Sequence, residues 1–370
     1  MKRPLEIQVF VALCASLLLF TFNSFATEKL RYIGDQNILT GEKFKETELG
    51  GLSGITYDKE KKKLLAISDD KGAVNDPRFY EFNLSMDEKS FKISTDEVII
   101  LKDKEGKPFK NGSVDFEGIT LFGGDILISS EGALNKEPLI NAEIFQFNRQ
   151  GSYKANLDIP TQFLRSKDIS KYGPRENLIF EALSASKDGK IVWVGTEEAL
   201  EQDDRPSTPT HASTIRLILY KNLKPEKQFA YKLEKVPTVK VADLAVGETG
   251  LSGLLTVDET HFYSIERSYL SLARKNVIRI FKNTVTEKTT DISKMDSLNV
   301  KTVNTVEKEL IADLEDFQSQ MSPNFQSLDN IEGICFGPQL PNGNDSIILV
   351  SDNNFNKKQR TQFLAFEIIP

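Results

Sequence analysis

The sequence predicts an all-β fold, a β-propeller, and three observations carry that reading. A short apolar segment bearing Ser or Glu, usually followed by Gly, recurs five times: 51–55, 115–119, 179–183, 250–254 and 330–334. Each leads through a turn into a β-rich run that ends in an acid: Leu64 to Asp69, Ile126 to Glu131, Ile191 to Glu197, Phe262 to Glu266 and Ile347 to Asp352. A third alternating strand follows every time: Arg78 to Leu84, Ala142 to Asn148, Thr214 to Lys221, Asn276 to Lys282 and Thr361 to Ile369.

The elements follow in chain order. Residues 1–26 have the form of an export leader: Lys2 and Arg3, an apolar stretch from Val9 to Phe20, and Ser24-Phe25-Ala26 offering small residues before a cut after Ala26. That stretch is shorter than the roughly 20 residues a spanning helix needs. Cleavage removes Cys14 and leaves Cys335 alone, so the expected mature chain, 27–370, is one periplasmic or secreted domain that folds by core burial alone. Leu30 to Leu39 is apolar enough to be a strand. The last repeat reaches the C-terminus at its third strand, so pairing the two chain ends closes the ring and removes exposed edges. Fourth strands are expected at Phe91 to Leu101, Tyr153 to Ile159 and Lys227 to Leu233, making four-stranded antiparallel blades. Five blades are countable. A sixth has room only in Val285 to Leu314, where Val306 to Leu314 fits strand or helix. A β-sandwich competes, but leaves the acid's recurring position unexplained. Lys104 to Gly112 and Glu201 to His211 are polar insertions, expected as loops over one face.

Composition narrows function. Lys+Arg 47 against Asp+Glu 54 gives a net charge of −7, which argues against a general nucleic-acid surface. Two histidines and two cysteines exclude a disulfide scaffold, a zinc finger and a His-rich metal cluster. In a propeller the innermost strands line a central channel. Ser53, Glu117, Glu181, Ser252 and Glu332 then project to a common radius, and Asp69, Glu131, Glu197, Glu266 and Asp352 end at a common height. Crowded carboxylates must hold protons or be neutralised by a cation. Oxygen-only ligands favour Ca2+ first, Mg2+ or Mn2+ second. The plainer alternative is that these acids cap strand ends. Asp70, beside Asp69, joins the candidate ligands, and Arg78, Arg175 and Arg267 stand near them in sequence as forks suited to phosphate or carboxylate.

Other chemistries fit poorly. Asp352 to Asn356 imitates the start of an EF-hand loop, but Lys357 stands where that loop needs Gly and Phe363 where it needs Glu. Gly-Leu-Ser-Gly at 51–54 and 250–253 is not a nucleophile elbow. His211 and His261 read as incidental, and Trp193 and Cys335 as core.

Several motifs together resemble the bacterial "esterase-like activity of phytase", or phytase-like, family across about Gly51 to Glu367. They are Gly-Leu-Ser-Gly-Ile (51–55), Ser68-Asp69-Asp70 with Arg78-Phe79-Tyr80, Asp115-Phe116-Glu117-Gly118, Ser130-Glu131-Gly132, Arg175-Glu176-Asn177 with Phe180-Glu181, and Asp329-Asn330-Ile331-Glu332-Gly333. The most specific is Ser351-Asp352-Asn353-Asn354-Phe355 followed by Gln359, Thr361 and Gln362. The resemblance implies hydrolysis of phosphate or related esters, and calcium as in other propeller phytases. The expected site has Glu332, Glu117 and Glu181 as catalytic groups; Arg78, Arg175, Asn177, Arg267, Asn354 and Gln359 as contacts to a small anionic substrate; and the repeated acids around the cation. Two further readings stand beside it: a calcium-dependent lactonase or carboxylesterase, and a non-catalytic binding or scaffold propeller.

Overall fold

The computed structural model describes residues 28–165, 172–238, 246–323 and 327–370. The expected leader, 1–26, lies outside the described residues. Among the described residues no helix is long and apolar enough to cross a membrane.

Five four-stranded antiparallel sheets form the ring. Blade 1 is Leu52–Asp58, Lys63–Ser68, Arg78–Met86 and Phe91–Ile100, from the channel outward. Blade 2 is Phe116–Phe122, Asp125–Ser130, Glu143–Phe147 and Tyr153–Asn156. Blade 3 is Ala182–Ala185, Ile191–Gly195, Thr214–Lys221 and Lys224–Lys232. Blade 4 is Gly247–Thr256, His261–Leu270, Lys275–Thr284 and Glu307–Asp313. Blade 5 takes Asn330–Phe336, Ser346–Asp352 and Thr361–Ile369 from the C-terminal end, and Lys29–Ile38 supplies its outer strand, antiparallel to Thr361–Ile369. Joining first and last segments of the chain in one sheet leaves no open edge between them.

The sixth blade is not formed. Glu307–Asp313 is the outer strand of blade 4, followed by a 3-10 helix, Leu314–Gln320. Residues 286–306 cover the outer edge of blade 3 instead. Ile292 N–H donates to Gln228 O at 2.9 Å and Val306 N–H to Ala230 O at 2.9 Å, while Ile292 and Leu298 bury against Ala230. One apolar segment with no partner strands of its own can finish a neighbour's sheet but cannot make a new one.

Five apolar clusters fill the five gaps between adjacent blades. Between blades 1 and 2, for example, Leu65, Ile67 and Phe79 meet Phe116, Ile119 and Phe145. Trp193 is fully buried between blades 3 and 4, its ring 5.0 Å from that of Phe262, and Cys335 is buried between blades 5 and 1. The recurring Gly has a steric cause. A Cβ on Gly54 would lie 2.5 Å from Glu117 O, and one on Gly118 would lie 2.6 Å from Leu183 Cβ, so the inner strands of blades 1, 2, 4 and 5 carry Gly where the next blade approaches, while blade 3 has room for Ala182.

Candidate functional site

The channel has three parts. A wide mouth of about 780 Å3 narrows to a neck of about 10 Å3, and a cup of about 510 Å3 opens at the far end. The neck is formed by the Ser/Glu-Gly segments themselves, including Ser53, Glu181, Ser252 and Glu332. In blades 1, 2, 4 and 5 the ladder slips by a residue here, between Leu52 and Gly54, Phe116 and Ile119, Leu251 and Gly253, and Ile331 and Gly333. A bulge re-aims one side chain out of the sheet's alternation. Where that residue is Ser it ties blades together: Ser53 Oγ donates to Glu117 O at 2.9 Å, and Ser252 Oγ to Ile331 O at 3.1 Å. Where it is Glu, a carboxyl faces the mouth.

A second ring follows from strand register. Asp69, Glu131 and Glu197 donate their backbone N–H to the residue two before the Ser or Glu, namely Gly51, Asp115 and Ile179. Asp352 stands opposite Asn330 by the same rule. In blade 4 the residue at this place, opposite Gly250, is Arg267. Glu266 is therefore one position out of register, and its expected place in the acidic ring is corrected. Successive strand residues point to opposite faces. Glu266 turns into the sheet's other side, where it accepts from Tyr231 Oη at 2.6 Å, Lys308 Nζ at 2.6 Å and Glu234 N–H at 2.7 Å.

The mouth divides into two halves of different electrostatics. On the side of blades 1 to 3, carboxylate oxygens of Asp69, Asp115 and Glu117 lie within 4.8 Å of one another, and so do those of Glu117, Glu131 and Glu181. Glu117 belongs to both groups. Burial first, and then mutual repulsion, pushes Asp69, Glu117, Glu131 and Glu181 well above the usual carboxylate range. Three oxygens here are buried without a hydrogen-bond partner: Asp69 Oδ1, Asp115 Oδ1 and Glu131 Oε2. The cation on this side is Lys71, whose side chain is 43% exposed; it donates to Asp115 and, at 2.9 Å, to Asn177 Oδ1. Burial alone would lower its ammonium, but Asp115 holds it above its ordinary value.

On the side of blades 4 and 5 the chain brings its own buried cation. Arg267 donates from Nη2 to Glu197 Oε1 at 2.8 Å and lies 3.8 Å from Glu332 Oε1. Burial lifts Glu197 to about 7 against the pull of Arg267, and lifts Asp352 to about 6 against the Asn354 N–H and Arg267. Glu332 is pushed well above the usual range by burial and by Asp352, with Arg267 opposing. Asn330 Nδ2 donates to Glu332 Oε1 at 2.7 Å and fixes its orientation.

Other expected site residues fall in two groups. Asn177, Asn354 and Gln359 line the mouth. Asp70, Arg78 and Arg175 do not, and their expected roles there are corrected. Arg78 is fully buried, with Nη1 donating to Asp70 Oδ2 at 2.7 Å, Nε to Tyr80 Oη at 2.6 Å and Nη2 to Glu48 O at 2.7 Å. Asp70 accepts from the backbone N–H of Ala73, Val74 and Asn75 as well, so the pair staples the 70–75 loop. Arg175 donates to Ala199 O at 3.1 Å and Asp204 O at 2.8 Å, holding the 201–211 insertion. Sequence reasoning assigned no role to Asp115, Lys71, Asn330, Glu248, Tyr269 or Asn276. Asp115 sits where other blades carry Gly51, Ile179, Gly250 and Asn330, so no repetition marked it.

The residues present suit a hard cation: oxygen donors only, several buried, three of them unpaired. Among comparisons, a family model described as phytase-like, esterase-like activity of phytase, matches residues 47–355. No curated protein matches. Among solved structures, the chain is similar to an endo-arabinase from Bacteroides thetaiotaomicron at 12% identity, covering 87% of this chain and 95% of that one, with a TM-score of 0.43. A tail fibre of Staphylococcus aureus phage P68 aligns at 10% identity over 90% of this chain and 52% of its own, TM-score 0.41. A periplasmic gluconolactonase of Pseudomonas aeruginosa aligns at 9% identity over 88% and 90%, TM-score 0.34.

Proposed function

This chain belongs to the phytase-like family described by an esterase-like activity of phytase, and from that premise we propose that it hydrolyses phosphate esters with a divalent cation held in the acidic half of the channel mouth. The observation that carries this reading is the set of unpaired buried oxygens on Asp69, Asp115 and Glu131, converging with Glu117 and Glu181. Leaving buried carboxylates without a partner is costly, and a cation removes that cost. The ion would be held by one of the two overlapping groups, Asp69, Asp115 and Glu117 or Glu117, Glu131 and Glu181, with Ca2+ preferred over Mg2+ or Mn2+. When bound, the ion supplies Lewis-acid polarisation of an ester oxygen.

The chain's own groups do the rest. Arg267, held by Glu197 and Glu332, lines the mouth and offers its guanidinium charge to an anionic oxygen of the substrate. Glu332 has its Oε1 occupied by Asn330, so its second oxygen is the one available to take or give a proton, and burial, which pushes the carboxyl well above the usual range, favours its protonated form. Asn177, Asn354 and Gln359 on the rim bind the small anionic substrate. Export to the periplasm or beyond, after removal of 1–26, belongs to the same proposal.

A second reading has an observation of its own. Arg78 and Arg175 are engaged away from the mouth, which weakens the phosphate clamp and favours a carboxyl ester or lactone. The test is turnover of aryl phosphates, aryl acetates and lactones by chelated protein before and after Ca2+ is restored. Calcium-dependent phosphate release supports the first reading. Cleavage of acetates or lactones alone transfers support to the second. No turnover of any of them, with calcium raising the melting temperature, leaves a binding propeller.

A further inference from the structure

Blade 4 is taller than its neighbours at the mouth. Its inner and second strands each run ten residues, whereas the second strands of blades 1, 2, 3 and 5 stop at Ser68, Ser130, Gly195 and Asp352, no farther than the ring position that Arg267 fills. Beyond Arg267 the ladder continues through Ser268–Thr249, Tyr269–Glu248 and Leu270–Gly247. The third strand keeps pace through Val277–Ser268, Asn276–Tyr269 and Lys275–Leu270. The result is a three-stranded wall above one side of the ring.

Alternation divides its faces. Glu248, Tyr269 and Asn276 stand abreast in register and line the mouth cavity, as does Arg267 two residues below Tyr269. Behind the wall Leu270 and Val277 bury with Val236, and Thr249 Oγ1 lies 2.7 Å from Ser268 Oγ. That backing fixes the wall in place. On this wall two features stand out. Tyr269 is 36% exposed and its ring stacks on no other ring among the described residues, an open aromatic face in a cavity lined mostly by polar and charged side chains. Asn276 Oδ1 is buried and accepts from nothing. Two residues along a strand put the Tyr269 ring about 7 Å from Arg267, one ring's length from the group that Arg267 binds.

We propose that this wall is the leaving-group subsite and that the substrate is the ester of an aromatic alcohol, with its acidic group at Arg267 and its ring against Tyr269. The placement of the reacting group rests on the hydrolase reading above. Hydrolysis then breaks the phosphorus–oxygen bond to the aryl group, delivering water's hydroxyl to phosphorus and its proton to the released phenol. An aliphatic ester fills the Arg267 position and leaves the wall bare.

Binding and turnover separate the two claims. Calcium-loaded protein is titrated by calorimetry with phenylphosphonate and methylphosphonate, neither of which is an ester, in the wild type, Tyr269→Ala and Tyr269→Phe. An aromatic contact worth on the order of 1.4 kcal/mol gives about a tenfold preference for the phenyl compound. Tyr269→Ala should bring that preference close to one, while Tyr269→Phe keeps it and both variants melt with the wild type. Equal affinity for the two compounds, failure to bind either, or a preference that survives Tyr269→Ala overturns the assignment. Turnover of aryl phosphate is measured on the same samples. Hydrolysis without a phenyl preference removes the subsite and leaves the hydrolase reading standing; a phenyl preference without hydrolysis does the reverse.

Discussion

The two halves of the channel mouth face the same problem and solve it differently. Around blades 4 and 5, Glu197, Glu332 and Asp352 share Arg267, a guanidinium only 12% exposed that pulls against burial at all three. Glu197 is lifted to about 7 and Asp352 to about 6, and only Glu332 rises well above the usual range. Around blades 1 to 3, Asp69, Asp115, Glu117, Glu131 and Glu181 have Lys71, nearly half exposed and screened by water, and Asp69, Glu117, Glu131 and Glu181 rise well above the carboxylate range. Blade symmetry offers each half the same ring position, and one of the five has been given to arginine. A propeller can thus carry an internal cation where charge must be balanced permanently, and leave the opposite arc short of one where the balancing charge is to come from solution.

The sharpest way to break this contrast is at the residue both acidic groups share. Glu117→Gln keeps the shape and removes the bridging charge. Turnover should fall by about a thousandfold or more, the scale of losing a principal electrostatic group. The rise in melting temperature that calcium gives the wild type should vanish. Chelated Glu117→Gln should be no less stable than chelated wild type, because one repelled carboxylate is gone. A variant that still gains stability from calcium to the wild-type extent would take the ion out of this arc.

Arg267→Gln attacks the other half. Removing one member of a buried ion pair leaves uncompensated charge and costs about 3–5 kcal/mol. The Glu197 carboxyl, no longer held down by Arg267, should then rise above its present value of about 7. The destabilisation should be larger at pH 8 than at pH 5, where protonation discharges the orphaned acids. Denaturant melts at the two pH values check this, and an equal loss at both would mean that Arg267 acts by packing alone.

The fold was legible because its repeat has a mechanical cause. Gly54 and Gly118 are demanded by the neighbouring blade's backbone and side chains, so the signal recurs in four of the five blades, blade 3 carrying Ala182 instead. The strand pairing of the two chain ends could be read for a similar reason, since Thr361–Ile369 needed an outer neighbour and Lys29–Ile38 was apolar enough to be one. The site was less legible. Its ring could be followed in blades 1, 2, 3 and 5, but in blade 4 the pair Glu266-Arg267 offers both an acid and a base, and only the ladder fixes which faces inward. Arg78 lies close to Asp69 and Asp70 in sequence, yet that proximity gives no hint that its donors close a buried loop. Asp115 and the tall wall of blade 4 break the repeat, and repetition was the signal being read.

Titration sharpens the comparison without mutation. Glu197 and Asp352 bind protons more tightly in the folded chain than unfolded, where ordinary carboxylates release them near pH 4. Between about pH 4 and 7 the folded state therefore holds more protons, and its stability falls as pH rises. The acids of the other half, raised by burial and mutual repulsion, contribute to the fall with the same sign. Chelated protein should melt at a progressively lower temperature from pH 5 to pH 8, by an amount on the order of 5 °C. Excess calcium should flatten most of that slope, since it binds the ionised form and only when folded. A slope that calcium leaves untouched would assign it to the Arg267 half alone.

The smallest expected effect tests the register on which both halves depend. Glu266→Gln removes a carboxylate that the repeat pattern would place in the mouth and the ladder places behind it. The amide can still accept from Tyr231, and Lys308 retains Glu234 Oε1 at 3.1 Å and Lys232 O at 2.9 Å. Weakening one charge-assisted contact among several should cost about 1 kcal/mol of stability. Turnover and the calcium-induced rise in melting temperature should match the wild type, because no oxygen of Glu266 reaches the cavity. Should Glu266→Gln lose activity as deeply as Glu117→Gln, the second strand of blade 4 would have to run one residue out of its present register. Arg267 would then face away from Glu197, and the mouth would become a ring of acids with no internal cation in either half.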